Sequence, residues 1–430
     1  MRPLPAAQRL PAGRREKLGP CTDDEPTPRG IGDVHILCLL RNLPVPNQVY
    51  FKSGLFPAAI QAHVKAGHRV AVASLKRDGV DHEALTRQVS RWGARYVPVT
   101  RKTWFPPLAY LKDADNLTWL RSIWDYRSLL HTVQQYIDQE GKPDVIAALQ
   151  STLRSGVPGR LVSRRHQIPY ILWEHGSVYL RGVPTGKCAS RFEQTLMHAD
   201  SVLAVSPQLG EAIRNSFPTR SLNVSVLPNP VDSRFFSPPQ DLAPFAEFKG
   251  TRFAFAAWSK WRRIKRPDLL LSAFAKVHRQ HANTCLLIGG PMTPDMTKQI
   301  RRDGVGAAIF CPGTLDQEGI HKLAYAADCC LITSDFETFA LSAVESMAAG
   351  KPVVSTRCGG PESIVTRDDY GRLVPKDDVD ALAEAMIGVM NQATRFEPET
   401  IADHCRRNFG EQIFAERWAN LYRNVAERIA

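Results

Sequence analysis

Two glutamates, Glu337 and Glu345, are separated by seven residues in the segment Ser334-Asp335-Phe336-Glu337-Thr338-Phe339-Ala340-Leu341-Ser342-Ala343-Val344-Glu345. Ionised carboxylates only accept hydrogen bonds, which makes them good readers of hydroxyl groups. Upstream, Trp258-Ser259-Lys260-Trp261-Arg262-Arg263-Ile264-Lys265-Arg266-Pro267 sets Lys260 and Lys265 five residues apart. Two cations beside a diphosphate would hold it and stabilise the charge that grows on it when it leaves. A third group, Glu174-His175-Gly176-Ser177, offers an imidazole that in neutral form can hydrogen-bond a hydroxyl, followed by a glycine that lets a ligand approach closely. Each has a plainer reading when taken alone: a capped helix with a solvated Glu, an exposed basic turn, a buried histidine satisfied by backbone. Their order along one chain is what joins them.

These residues need elements to position them. Val34–Leu40 reads as a buried strand, Phe56–Ala66 as a helix ended by Gly67, and Arg69–Ser74 as the next strand. Further strands are expected at Asp144–Ala148, Tyr170–Trp173 and Ser201–Val205. The segment Pro228–Gly250, with Pro228, Pro230, Pro238, Pro239 and Pro244, has the composition of an interdomain linker. The pattern then restarts. Strands are expected at Arg252–Ala257, Thr284–Ile288, Ala307–Phe310 and Cys329–Thr333, with helices at Pro267–His281 and Gln317–Ala327. Such alternation implies mostly parallel sheets with helices on both faces. The strand ending near Thr333 runs into a polar turn and then an alanine-rich helix closed at Gly350. The helix N-terminus thus falls at a strand's C-terminal end, where ligands bind in open α/β sheets, and the amides of Phe339, Ala340 and Leu341 are candidates to hold a phosphate. Ile413, Phe414, Trp418, Leu421, Tyr422 and Val425 form one stripe of a terminal packing helix.

On these motifs the sequence resembles the retaining GT-B glycosyltransferases of family 4. Asn229-Pro230-Val231-Asp232, Leu287-Ile288-Gly289-Gly290, Gly359-Gly360-Pro361-Glu362 and Tyr370-Gly371-Arg372-Leu373-Val374-Pro375 also match that family's order, so residues 200–390 carry the likeness densely. The resemblance implies an α/β chain of the GT-B type, two Rossmann-like doubly wound domains facing a central cleft. Composition and the alternating pattern give a disordered basic tail at 1–30, a first domain at 31–230 and a linker at 231–250, and the resemblance makes that first domain the acceptor-binding one. A C-terminal donor-binding domain at 251–408 and a helix at 409–430 packing back toward the first domain complete the division. It implies that Glu345 binds the nucleotide ribose, that Glu337 faces the transferred sugar, and that Lys260 (usually Arg) and Lys265 grip the diphosphate. His175 would approach the reacting sugar. Ser53-Gly54 stands where the family often has Gly-Gly against the phosphate, and gives Gly54 as a donor contact. The donor would be a UDP- or GDP-linked sugar, the acceptor a glycan, a glycolipid or other lipid-linked acceptor, or a small molecule, and no metal or other cofactor would be required. Cell-envelope, lipopolysaccharide or exopolysaccharide biosynthesis is the expected setting. A sugar-nucleotide epimerase or sucrose-synthase-like enzyme of the same fold is the neighbouring alternative.

Composition bounds these expectations. With 430 residues, 43% hydrophobic and 23% charged, the chain fits two globular domains. Its longest apolar stretches fall well short of the roughly 18 residues that span a bilayer. Nine cysteines with no C-x-x-C spacing suggest neither a disulfide framework nor a zinc site, and so a reducing cytoplasm. The first thirty residues lack a signal peptide's apolar centre. The net charge of +12 suits phosphate-bearing substrates or peripheral contact with an anionic membrane. A non-enzymatic anionic-surface or nucleic-acid binder would also carry that charge, but nucleic acid is not expected as a partner, because no RNA-binding motif is present and such a role leaves the two glutamates unexplained. Arg101–Lys112 mixes cations with aromatic and aliphatic groups, suiting a membrane surface or a loop packed under the domain. Asp113-Ala114-Asp115 reads as a solvated turn, and Gly182–Lys187 is one residue short of a phosphate loop.

Overall fold

The computed structural model describes residues 34–40, 55–75, 80–100, 115–150, 155–183 and 187–429. The expected tail at 1–30, Gly54 and the Arg101–Lys112 segment lie outside the described residues.

The first half alternates as expected: β1 (His35–Leu40), α1 (Leu55–Lys65), β2 (Arg69–Leu75), α2 (His82–Arg91), β3 (Arg95–Val99), α3 (Asp115–Glu140), β4 (Val145–Leu149), α4 (Gly156–His166), β5 (Tyr170–Glu174), α5 (Val178–Arg181), α6 (Lys187–His198), β6 (Ser201–Ala204), α7 (Pro207–Ser216) and β7 (Val224–Val226). Its seven strands form one parallel sheet in the order β3-β2-β1-β4-β5-β6-β7. β1, β4 and β5 are buried along their whole length, which is why they read as unbroken apolar runs.

The second half holds α8 (Phe245–Lys249), β8 (Phe253–Trp258), α9 (Pro267–Gln280), β9 (Thr284–Gly289), α10 (Pro294–Asp303), β10 (Ile309–Gly313), α11 (Gln317–Ala326), β11 (Cys329–Ile332), α12 (Leu341–Ala348), β12 (Val353–Thr356), β13 (Gly371–Val374), α13 (Val379–Asn391), α14 (Pro398–Phe409) and α15 (Glu411–Ile429). Its sheet is parallel in the order β10-β9-β8-β11-β12-β13. In each sheet the winding reverses beside the first strand, between β1 and β4 and between β8 and β11, and such switch points open the crevices where ligands bind.

The proline-rich connection is an ordered strap. Phe235 lies in a single 3-10 turn (Ser233–Phe236) and Phe245 begins α8, and both side chains are fully buried. The terminal helix α15 packs on α1 of the first lobe. The Trp418 ring meets His63 edge-on at 4.7 Å, Phe414 lies 5.2 Å from Trp173 of β5, and Glu411 is ion-paired with Lys65. Glu411 also accepts from the Ser233 N–H at 3.2 Å, so one carboxylate joins the strap, the last helix and the first lobe. Among the described residues no helix is long and apolar enough to cross a membrane.

Candidate active site

The second sheet's switch point is where five of the sequence-picked residues meet: Lys265, Glu337, Ala340, Leu341 and Glu345. β8 ends at Trp258 and runs into the basic loop, while β11 ends at Ile332 and runs into the acidic one. The loops are stitched together by backbone and hydroxyl bonds. Thr333 Oγ1 donates to the carbonyls of Lys265 and Arg266 at 2.9 and 3.1 Å, and the Asp335 N–H donates to the Ile264 carbonyl at 2.9 Å. Arg266, with a left-handed φ of 49°, is held by Asp268, Asp335 and Asp377. Its charge is spent on fixing the loop.

Lys265 has another task. Its ammonium lies 2.5 Å from Glu337 Oε1, and the Ser334 hydroxyl donates to the same oxygen at 2.8 Å. Both side chains of the pair retain some exposure, 19% for Lys265 and 15% for Glu337. They line an open cleft whose lining comes wholly from the second lobe.

The Glu337 backbone is clamped from the far side. Its N–H donates to the Cys358 carbonyl and its carbonyl accepts from the Gly360 N–H, each at 2.8 Å. A Cβ at Gly360 would stand 2.4 Å from the Phe339 Cα, and one at Gly359 would stand 2.6 Å from the Glu337 carbonyl oxygen. The glycine pair is the gap into which the acidic loop fits.

The helix begins later than the sequence suggests. Ala340 takes a left-handed φ of 78° as the N-cap, so α12 starts at Leu341 and the Phe339 amide precedes it. The Phe339 side chain is buried, its ring 5.7 Å from that of Phe409, while Ala340, Leu341 and Ser342 border the cleft. The first turn of a helix leaves N–H groups without intrahelical acceptors, and here Leu341 and Ser342 of that turn line the cleft that holds Lys265. Gly350, at φ 72°, closes the helix as the sequence indicates.

Glu345 sits one turn inside α12 and is only 4% exposed. Trp258 Nε1–H donates to its Oε2 at 2.8 Å. Burial pushes its carboxyl up to about 8; the Trp258 bond works against that, and the nearby Asp232 charge adds to it.

Lys260 and His175 are placed differently. Lys260 is exposed on the basic loop and does not line the cleft. His175 follows β5 in the first lobe, with Nδ1 3.2 Å from the Trp173 carbonyl oxygen and Nε2 3.0 Å from Asn229 Oδ1. Burial lowers its pKa to about 4, so the ring is neutral at physiological pH. Both nitrogens face oxygen atoms, and the neutral ring, which carries one N–H, donates to one of them at a time. Glu174 Oε1 accepts from the His175 and Gly176 N–H groups at 2.9 and 2.6 Å and shapes the turn. From this turn α5 leads to Leu180, whose Cδ1 would lie 3.6 Å from a Cβ at Gly359, so the His175 segment runs beside the loop that clamps Glu337.

Trp258, Trp261, Ser334 and Ser342 also line the cleft. Sequence reasoning assigned them no role. The two tryptophans were visible as types, but only the fold brings Trp258 to a residue 87 positions away. Among the described residues no group of three or more His, Cys, Asp or Glu side chains is arranged to hold a metal ion.

Family comparison matches residues 58–230 to the glycosyl transferase 4-like domain and residues 251–392 to glycosyl transferases group 1, together most of the chain. The chain belongs to the group 1 glycosyl transferases. It is similar to the D-inositol 3-phosphate glycosyltransferase of Kribbella flavida, 27% identical over 253 residues, 55% of this chain and 59% of that one. It spans about half the length of the curated relatives it matches. Its fold is that of sucrose-phosphate synthase from Thermosynechococcus elongatus (TM-score 0.70, 20% identity, 92% of this chain and 100% of that one). It is also that of Anabaena HepE in complex with UDP and glucose (TM-score 0.69, 18% identity, 90% and 99% covered). Both are GT-B structures, and the two doubly wound sheets seen here are those of that fold.

Proposed function

We propose that this group 1 glycosyl transferase moves a sugar from a nucleoside-diphosphate sugar to a hydroxyl acceptor with retention of anomeric configuration. The observation that carries the reading is the convergence of Lys265, Glu337 and Glu345 on one cleft at the switch point of the second sheet. In this reading the diphosphate lies at the start of α12, where Lys265 and the first-turn amides of Leu341 and Ser342 draw it in. Glu345 accepts from the ribose hydroxyls. Glu337 is released from part of its pairing with Lys265 and accepts from the sugar. Lys260 supplies longer-range positive charge from the rim, and His175 holds the turn that brings the first lobe toward the sugar.

In the reaction, the bond between the sugar's anomeric carbon and the phosphate oxygen breaks, and the acceptor oxygen bonds to the same face of that carbon. The acceptor's proton passes to the departing phosphate oxygen. Lys265 and the amides are pre-aimed at the charge that appears there, the type of stabilisation that costs no reorganisation at the moment of reaction. UDP-sugars are the favoured donors, supported by the uridine nucleotide and glucose in the HepE structure. The acceptor is a sugar or polyol hydroxyl, free or as part of a glycan or glycolipid of the cell envelope.

A thermal-shift screen against UDP-, GDP- and ADP-sugars tests donor recognition. A ligand at 100 times its Kd stabilises by about 2.7 kcal/mol, enough to register clearly. One nucleotide series is expected to stabilise the wild-type chain, and Lys265→Met to lose most of that shift. Equal shifts in both chains would remove Lys265 from the donor site.

A further inference from the structure

Glu345 is held in an unusual way. Among the described residues no Lys, Arg or His side chain lies within ion-pair distance of it, and its hydrogen bond from Trp258 is with a neutral group. The charged group that acts on it is Asp232 of the strap, which repels, and which is itself paired with Arg234 at 2.9 Å. Beneath α12, the Cys330 thiol of β11 is raised by burial and stays neutral; the Cys405 thiol of α14, raised in the same way, donates to the Val344 carbonyl at 3.3 Å. Across the cleft Lys265 and Glu337 neutralise each other. Trp258 is 4% exposed and sits at the last position of β8, so its indole is fixed by the sheet.

We propose that Trp258 is a positioning residue for donor binding: its indole N–H aims the Glu345 carboxylate into the cleft and stabilises it as the acceptor of donor hydroxyls. This rests on the reading of Glu345 as a donor-binding residue. It has a consequence for acidity. A carboxyl raised to about 8 is only about one-tenth ionised at pH 7, and hydroxyl donors on the ligand favour the ionised form. Donor binding therefore drives off the proton, and affinity climbs as pH rises from about 7 to 9. Without the indole N–H the carboxylate loses its stabilising donor, and that climb moves to higher pH.

The test is calorimetric titration with UDP, GDP and ADP at pH 6.5 to 9.5 on the wild type, Trp258→Phe, Glu345→Gln and the double variant. Trp258→Phe keeps the ring and removes the donor. It is expected to weaken nucleotide binding at pH 7 by roughly tenfold or more, the size of a lost hydrogen bond to a charged group, and to shift the pH midpoint upward. kcat at saturating donor should stay within about twofold while KM rises. In the Glu345→Gln background the Trp258 change should add little, because the two residues act as one unit. Trp261→Phe, which removes an indole bonded instead to the Gly289 carbonyl, should leave the pH midpoint where it is.

If Glu345→Gln binds nucleotide as well as the wild type, the donor-binding reading itself fails. If Glu345→Gln weakens binding but Trp258→Phe leaves affinity and midpoint unchanged, or if the two changes are additive, the role given to Trp258 is overturned. Should Trp258→Phe not fold, wild-type titrations at pH 7 in buffers of different ionisation enthalpy decide the matter. Release of close to one proton on binding supports the proposal, and none overturns it.

Discussion

At the scale of single residues, the two glutamates that look alike in sequence differ in environment. Glu337 stays partly exposed, with a cation and a hydroxyl on one oxygen, and can exchange those partners for a ligand's groups. Glu345 is buried beside another acid, and the fold bears a cost for keeping it. Its carboxyl holds a proton up to about 8 in the folded chain but releases it near 4.5 when unfolded. Between those values the unfolded state binds fewer protons, so this residue lowers stability as pH rises through the window. Without nucleotide, Glu345→Gln should therefore melt above the wild type at pH 8 to 9, by roughly 2–4 °C for each kcal/mol relieved, with the gap closing toward pH 4.5. Thermal melts across pH check this; a variant that melts at or below the wild type at every pH would contradict it. The sequence showed these residues as types and spacing. It could not show Trp258 beneath Glu345, nor Asn229 beside the His175 ring, because those facts depend on contacts 87 and 54 positions apart.

At the scale of elements, the strands with continuous apolar runs and the helices with strong periodicity were legible within a residue or two. β1, β2, β5, α9, β9 and β11 are examples. Short edge strands were not: β3 (Arg-Tyr-Val-Pro-Val) carries a proline tolerated at a sheet edge, and β7 has only three residues. The start of α12 was not legible to the residue: of the three amides picked, only that of Leu341 lies in the helix, because a left-handed Ala340 leaves no signature in a run of helix formers. The reason for Gly359-Gly360 also appeared only in three dimensions, where the acidic loop occupies the space a side chain would take. Gly360→Ala should push Phe339 outward and carry Glu337 with it. A loss of about 1–3 kcal/mol in stability is expected, together with at least a tenfold rise in donor KM. Steady-state kinetics beside a thermal melt would show both; a variant with unchanged donor KM would mean that the loop is not held by this contact.

At the scale of the whole molecule, two parallel doubly wound sheets were implied by the alternation of elements, and the stripe on the last helix marked it as a packing element. The resemblance implied that it packs toward the first domain; the particular contacts were not legible, since α1 and α15 are some 350 positions apart and meet through Lys65, His63, Phe414 and Trp418. The His175 turn of the first lobe lies against Asn229 and, through Leu180, beside the Gly359 loop of the second lobe. Attack from the side of the departing phosphate keeps the anomeric configuration, whereas attack from the opposite side inverts it. The anomeric configuration of the first-formed product, read by NMR from an α-linked sugar nucleotide and the acceptor it glycosylates, is therefore the most direct test of the account. An α-linked product is predicted, and a β-linked one would contradict it.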